Sequence, residues 1–138
     1  MKKITLFMAI VALYLQACKP KYADGVLPQI VGTWELTESK PTADSMWKPL
    51  PYKLNMVVVF NKDGSLVASK DLYFPFTGGW CNTANQYSIK NNIMYLEFEK
   101  PGCIPFINPN LGNEAKIISL TANELILERG GLYKFVRI

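Results

Sequence analysis

From residue 30 to residue 138 the chain repeats one device: short segments in which apolar and polar residues alternate, separated by tight turns or by longer connections rich in proline. Alternation with a period of two puts successive side chains on opposite faces of a strand, so each segment has one apolar and one polar face. "IVGTWELTE" (30–38) sets Ile30, Gly32, Trp34 and Leu36 against Thr33, Glu35 and Thr37. "YKLNMVVVF" (52–60) does the same with Tyr52, Leu54, Met56, Val58 and Phe60, and a weaker segment, 65–71, offers Leu66 and Ala68. "NQYSIK" (85–90), the pair Asn91-Asn92 and "IMYLEFE" (93–99) read as a hairpin, with Met94, Leu96 and Phe98 on one face. "AKIISL" (115–120), "ELILE" (124–128) and "LYKFVRI" (132–138) complete the series. The pattern predicts eight strands and offers no segment with a helical period.

Consecutive strands joined by tight turns pair antiparallel, and eight of them close into an up-and-down β-barrel that leaves no exposed edge. A β-sandwich is the alternative. In such a barrel, alternate connections fall at the same end. The long ones, 39–51, 72–84 and 100–114, share one rim, while "NKDG", "NN" and "TAN" share the other. Loops on a rigid scaffold are where binding surfaces usually sit. The long rim carries Met46, Trp47, Tyr73, Phe74, Phe76, Trp80, Ile104 and Phe106 among seven prolines, which predicts either a stiff apolar mouth or a lid that completes the core. An eight-stranded barrel is just wide enough to be filled by side chains or to hold one small ligand. Inward-facing Tyr52, Met56, Phe60, Tyr87, Phe98 and Phe135, with Trp47, Phe74, Phe76 and Trp80 above them, are the candidate ligand-binding residues.

Ahead of the strands lies a different kind of segment. "MKK" gives a basic start, and residues 4–17 follow without a charge, too short a run to span a bilayer comfortably. That layout predicts a secretory signal peptide over 1–17, against the alternative of a buried N-terminal helix. Leu15-Gln16-Ala17-Cys18 resembles the lipobox of bacterial lipoproteins. The resemblance implies that Cys18 becomes the first mature residue and carries a lipid that holds the protein to a membrane. Residues 18–29 then read as the lipidated cysteine and a tether of about 18 Å if it is a flexible coil, leaving 30–138 as the barrel domain. The first strand begins and the last ends at the tight-turn rim, so Cys18 anchors that end and the long loops face away from the membrane. By the same resemblance, Lys19 lacks the aspartate that favours inner-membrane retention, which points to the outer membrane with the leaflet open. Export also favours pairing of Cys81 with Cys103, both on the long rim; two reactive thiols are the alternative.

The two ends of the strand series carry a further likeness. Gly32-Thr33-Trp34 opens the first strand and Arg137 lies near the end of the last, in phase with Tyr133 and Phe135. This resembles the lipocalin-like group of the calycins, in which a Gly-x-Trp on the first strand packs against an Arg of the last. The resemblance implies a structural role for Gly32, Trp34 and Arg137 in closing one end of the barrel through a guanidinium stacked on an indole.

Composition removes whole classes of function. The chain has no histidine, which takes away the commonest general base and metal ligand and every Ser-His-Asp or Cys-His arrangement. Glu97 and Glu99 face the same way, but nothing beside them serves as nucleophile, so no catalytic residue, metal site or cofactor is expected. Loss of Lys2 and Lys3 with the leader leaves 13 basic residues against 11 acidic ones, a net charge of +2 that gives no reason to expect nucleic acid. Two function classes follow. One is a carrier or sensor of a small apolar or amphipathic ligand. The other is a cell-envelope module that docks a protein partner through Trp47 and Trp80.

Overall fold

In the computed structural model the described residues are 22–50, 56–69, 75–76, 84–98 and 112–138. The expected lipidation site Cys18, the leader 1–17, Cys81, Cys103, Tyr52, Phe74 and Trp80 lie outside them. Nine strands are present among the described residues: β1 Gly32–Lys40, β2 Lys48–Pro49, β3 Val57–Phe60, β4 Leu66–Ala68, β5 Ala84–Lys90, β6 Ile93–Phe98, β7 Glu114–Leu120, β8 Glu124–Glu128 and β9 Leu132–Arg137. All but β2 were legible as alternating segments. That two-residue strand escapes a periodicity argument because it is too short to alternate.

The strands form one antiparallel sheet in the order β4-β3-β1-β9-β8-β7-β6-β5, with β2 paired to the upper part of β1. Pairing of the first strand with the last, Trp34 opposite Arg137 and Leu36 opposite Phe135, curls the meander onto itself. The remaining seam between β4 and β5 is bridged at Ser65 and Gln86, and the Tyr87 amide donates to the Gly64 carbonyl at 2.8 Å. The result is a nearly closed eight-stranded barrel rather than two stacked sheets. Register shifts at Leu36/Glu38, Ala84/Gln86 and Ile117/Ser119 bend three of the strands, which a small barrel needs in order to curve shut. The Asn91-Asn92 turn has φ of 53° and 61°, the left-handed pair that matches the twist of a two-residue hairpin.

The inward set is the apolar set of the alternation: Trp34, Leu36, Val58, Phe60, Leu66, Tyr87, Ile89, Met94, Leu96, Leu125, Leu127 and Phe135 form one buried cluster. Burial of that much apolar surface is the main source of stability for a fold whose backbone bonds merely replace bonds to water.

One expectation fails. Residues 22–29 are not a tether: with Ile30 and Val31 they fold across the tight-turn end of the barrel. Val26 and Ile30 are buried, and Tyr22, Ala23, Leu27 and Val31 pack against the core. The Ala23 amide donates to the Lys62 carbonyl at 2.9 Å, and the Ile89 amide to the Gly25 carbonyl at 2.6 Å. Gly25 has φ of +78°, and a Cβ there would stand 3.0 Å from that of Ser88, so the close crossing needs glycine. The physical reason is that a barrel end exposes its lowest core layer unless something covers it. Irregular backbone with apolar side chains can do so without any strand or helix period to betray it.

Candidate functional site

The two ends of the barrel are built differently. At the tight-turn end, Trp34 is wholly buried and its Nε1 donates to the Ile30 carbonyl at 2.7 Å. The Arg137 guanidinium lies 4.3 Å from the centre of that indole. It also donates to three carbonyls: Nε to Ala122 at 2.6 Å, Nη1 to Val31 at 2.8 Å and Nη2 to Gln29. Arg137 thus ties the start of β1, the β7–β8 turn and the 22–31 segment together. Gly32 has φ of +140°, and a Cβ built there would fall 2.4 Å from Arg137 Nη1. The glycine leaves room for the guanidinium to reach the backbone beyond it.

That pairing, on a meander whose last strand closes on its first, is the arrangement implied by the Gly-x-Trp and Arg residues. The sequence model of the lipocalin-like domain family matches residues 30–127. The chain belongs to the lipocalin-like domain family. A solved lipocalin-like protein from Bacteroides uniformis ATCC 8492 is 18% identical, with 80% of this chain and 99% of that one covered and a TM-score of 0.41. No curated protein matches.

The long-loop end of this lipocalin-like barrel is where a ligand could enter, because the other end is capped. Met56, one residue above β3, Ala68 at the end of β4, Phe98 at the end of β6, Tyr133 on β9 and Leu50 are half-buried there and pack on the core. Of the candidate ligand residues, Met56 and Phe98 therefore stand where an apolar ligand would meet them. Phe60, Tyr87, Phe135 and Phe76 are buried below them, ring against ring. Phe60 lies 4.9 Å from Tyr87 and 5.6 Å from Phe76, and Phe76 lies 5.8 Å from Phe135. Of the two expectations for the aromatics of the long connections, mouth or inward lid, Phe76 takes the second: it is a core residue contributed by a connection, with no exposed surface.

Trp47 departs from expectation. Glu38 and Lys134 face each other on the outer wall and form an ion pair of 2.8 Å, one register step from the inward pair Leu36 and Phe135. The Trp47 indole sits on that side, 4.7 Å from Lys134 Nζ and 5.0 Å from Lys40 Nζ. Folding of β2 back onto β1 carries Trp47 onto the outside of the barrel, between two ammonium groups, and not over the mouth. A docking anchor paired with Trp80 on the rim therefore loses this member. Met46 beside it is 84% exposed.

Nothing in the residue pattern singles out Arg129, which stands in the tight "RGG" turn. Its guanidinium is nonetheless buried, with Nε and Nη2 donating to the Gly112 carbonyl at 3.2 Å and Nη1 to the Pro75 carbonyl. It lies 5.7 Å from the Phe98 ring. Burial pulls its pKa below the ordinary guanidinium value, and the neighbouring Tyr133 opposes that shift. Arg129 thereby fastens backbone from two long connections to the end of β8. An arginine flanked by glycine in a turn is ordinarily solvated, so no pattern in the sequence distinguishes it.

A groove of about 760 Å³ on the barrel wall, between the Asn91-Asn92 turn and Gly130, is lined by Glu114, Lys116 and Glu128. These alternate with buried Ala115 and Leu127, and Ile93 and Ile117 line the same groove, so it is a mixed surface of charged and apolar side chains.

Proposed function

We propose that the protein is an envelope lipoprotein, cleaved after residue 17 and lipidated on Cys18, whose barrel binds a small apolar or amphipathic ligand at its long-loop end. The observation that carries the binding reading is the half-buried ring of Leu50, Met56, Ala68, Phe98 and Tyr133 among the described residues of the long-loop end, opposite the end that the 22–31 segment and Arg137 cover. Half-buried apolar side chains above a closed core gain from being covered, by about 25 cal/mol per Å² removed from water. Anchoring rests on the leader and the lipobox. Three residues, 19–21, separate Cys18 from the folded segment, so that segment would stand within about 14 Å of the lipidated residue. The ligand end would then face away from an outer membrane, and a Cys81–Cys103 bridge would pin two loops beside it.

The test is a native mass spectrum of the full chain purified from its own envelope, taken before and after denaturation. An added mass lost on denaturation supports the binding reading, and a bare chain at every preparation speaks against it. Metabolic labelling with a fatty acid that disappears in Cys18→Ala tests the anchor separately.

A further inference from the structure

The barrel core contains a row of four aromatic rings, Phe135, Phe76, Phe60 and Tyr87, each stacked edge-on or tilted against the next at 5.8, 5.6 and 4.9 Å. Its ends belong to β9 and β5. In the ring of strands, three others separate these two on either side, β8, β7 and β6 one way and β1, β3 and β4 the other, so they are opposite walls. The row therefore crosses the full width of the lumen. Three of its members are strand residues of the inward face. The fourth, Phe76, comes from the connection between β4 and β5 and completes the row. Two backbone bonds hold it: the Ala84 amide donates to the Phe76 carbonyl at 2.8 Å, and Arg129 Nη1 donates to the carbonyl of buried Pro75. Withdrawing Phe76 would break the first bond and strain the second, which ends on a buried charge.

We propose that Phe76 is the floor of the ligand site, so that the barrel takes a short or flat apolar group across its long-loop end and excludes an extended acyl chain. This rests on the reading of that end as the binding site. Met56, one residue before β3, and Phe60 at its end are four residues apart, about 13 Å of extended chain, and the aromatic row takes up part of that height. A chain entering past Met56 and Phe98 therefore meets Phe76 after a few methylenes. A hollow barrel would continue to bury the chain down to Trp34.

The full chain in lipid nanodiscs, with empty nanodiscs as the blank, would be titrated calorimetrically with linear alcohols from butanol to decanol. Every methylene that enters an apolar site raises affinity about fourfold. The wild type is expected to gain over the shortest members and then level off, whereas Phe76→Ala continues to gain through decanol. Phe76→Leu, which keeps most of the volume and guards against loss of folding, should shift the plateau by one or two methylenes. A wild-type gain that continues to decanol, or a Phe76→Ala profile that levels off where the wild type does, overturns the floor. Binding by Phe76→Ala with none by wild type keeps the floor and removes the long-loop end as a natural site. Absence of binding by all three proteins overturns both.

Discussion

Replacing Arg137 with methionine keeps an apolar stem of similar length over Trp34 and removes only the charged fork. The structure sets the size of the effect. Lost are one guanidinium–indole contact at 4.3 Å and hydrogen bonds to the Ala122, Val31 and Gln29 carbonyls. The first contributes about 1 kcal/mol in a half-exposed setting. Two of the three bonds are at exposed positions and count at the low end, near 0.5 kcal/mol each, while the bond to Val31 counts about 1.5 kcal/mol. Together they predict a loss of about 3.5 kcal/mol, measured as a lower urea midpoint with an unchanged slope. Because Arg137 also holds residues 22–31 in place, exchange of the Ile89 amide, which donates to Gly25, should accelerate well before that of the Leu96 amide on the adjacent strand, which donates instead to Asn113. Gly32→Ala supplies an internal check. Its Cβ would meet Nη1 at 2.4 Å, so the alanine should cost distinctly less in the methionine background, where the remaining penalty is the positive φ alone, than in the wild type. A loss below about 1 kcal/mol, or additive effects of the two substitutions, would refute the clasp as the fastening of this end.

Burial raises the pKa of Tyr87 above its ordinary value of 10.0, with the charge of Asp63 adding to the shift, and burial raises Tyr133 in the same direction. The neutral phenol is thus favoured in the folded state. Its stabilisation is whole below the unfolded-state value and is lost as pH rises above about 10, so the thermal midpoint should fall on the alkaline side and Tyr87→Phe should flatten that fall; identical alkaline profiles for the two proteins would contradict the burial argument. Trp47→Ala, on the outer wall between Lys40 and Lys134, should lower stability by about 1 kcal/mol yet leave alcohol affinity within twofold. A tenfold loss of affinity would return Trp47 to the ligand site.

Much of the barrel was legible because its strands are half-buried. Where one face meets the core and the other meets water, the alternation records the strand, its phase and its inward residues together, and a slip by one residue would invert every one of them. Eight strands, their order and the inward placement of Trp34, Val58, Phe60, Met94, Leu96 and Phe135 follow from that constraint. The places that the alternation left open or missed share a different physics. Residues 22–31, Phe76 and Arg129 are irregular backbone or turn residues whose burial comes from partners far along the chain: Lys62 and Ile89 for the first, Phe60 and Phe135 for the second, Gly112 and Pro75 for the third. Trp47 misled in the opposite sense, since an aromatic in a proline-rich loop carries no mark of which side of the wall it will lie on.

By itself the sequence determined the all-β class, the barrel closed by first and last strands, and the residues at the Trp34–Arg137 end, because each of these rests on a local period or on a short motif. Only the tertiary structure decided how deep the barrel is. Whether a lumen is hollow depends on which loop residue turns inward, and that choice is made by the space left between opposite walls and by the carbonyls that Ala84 and Arg129 hold, neither of which exists until the sheet has closed.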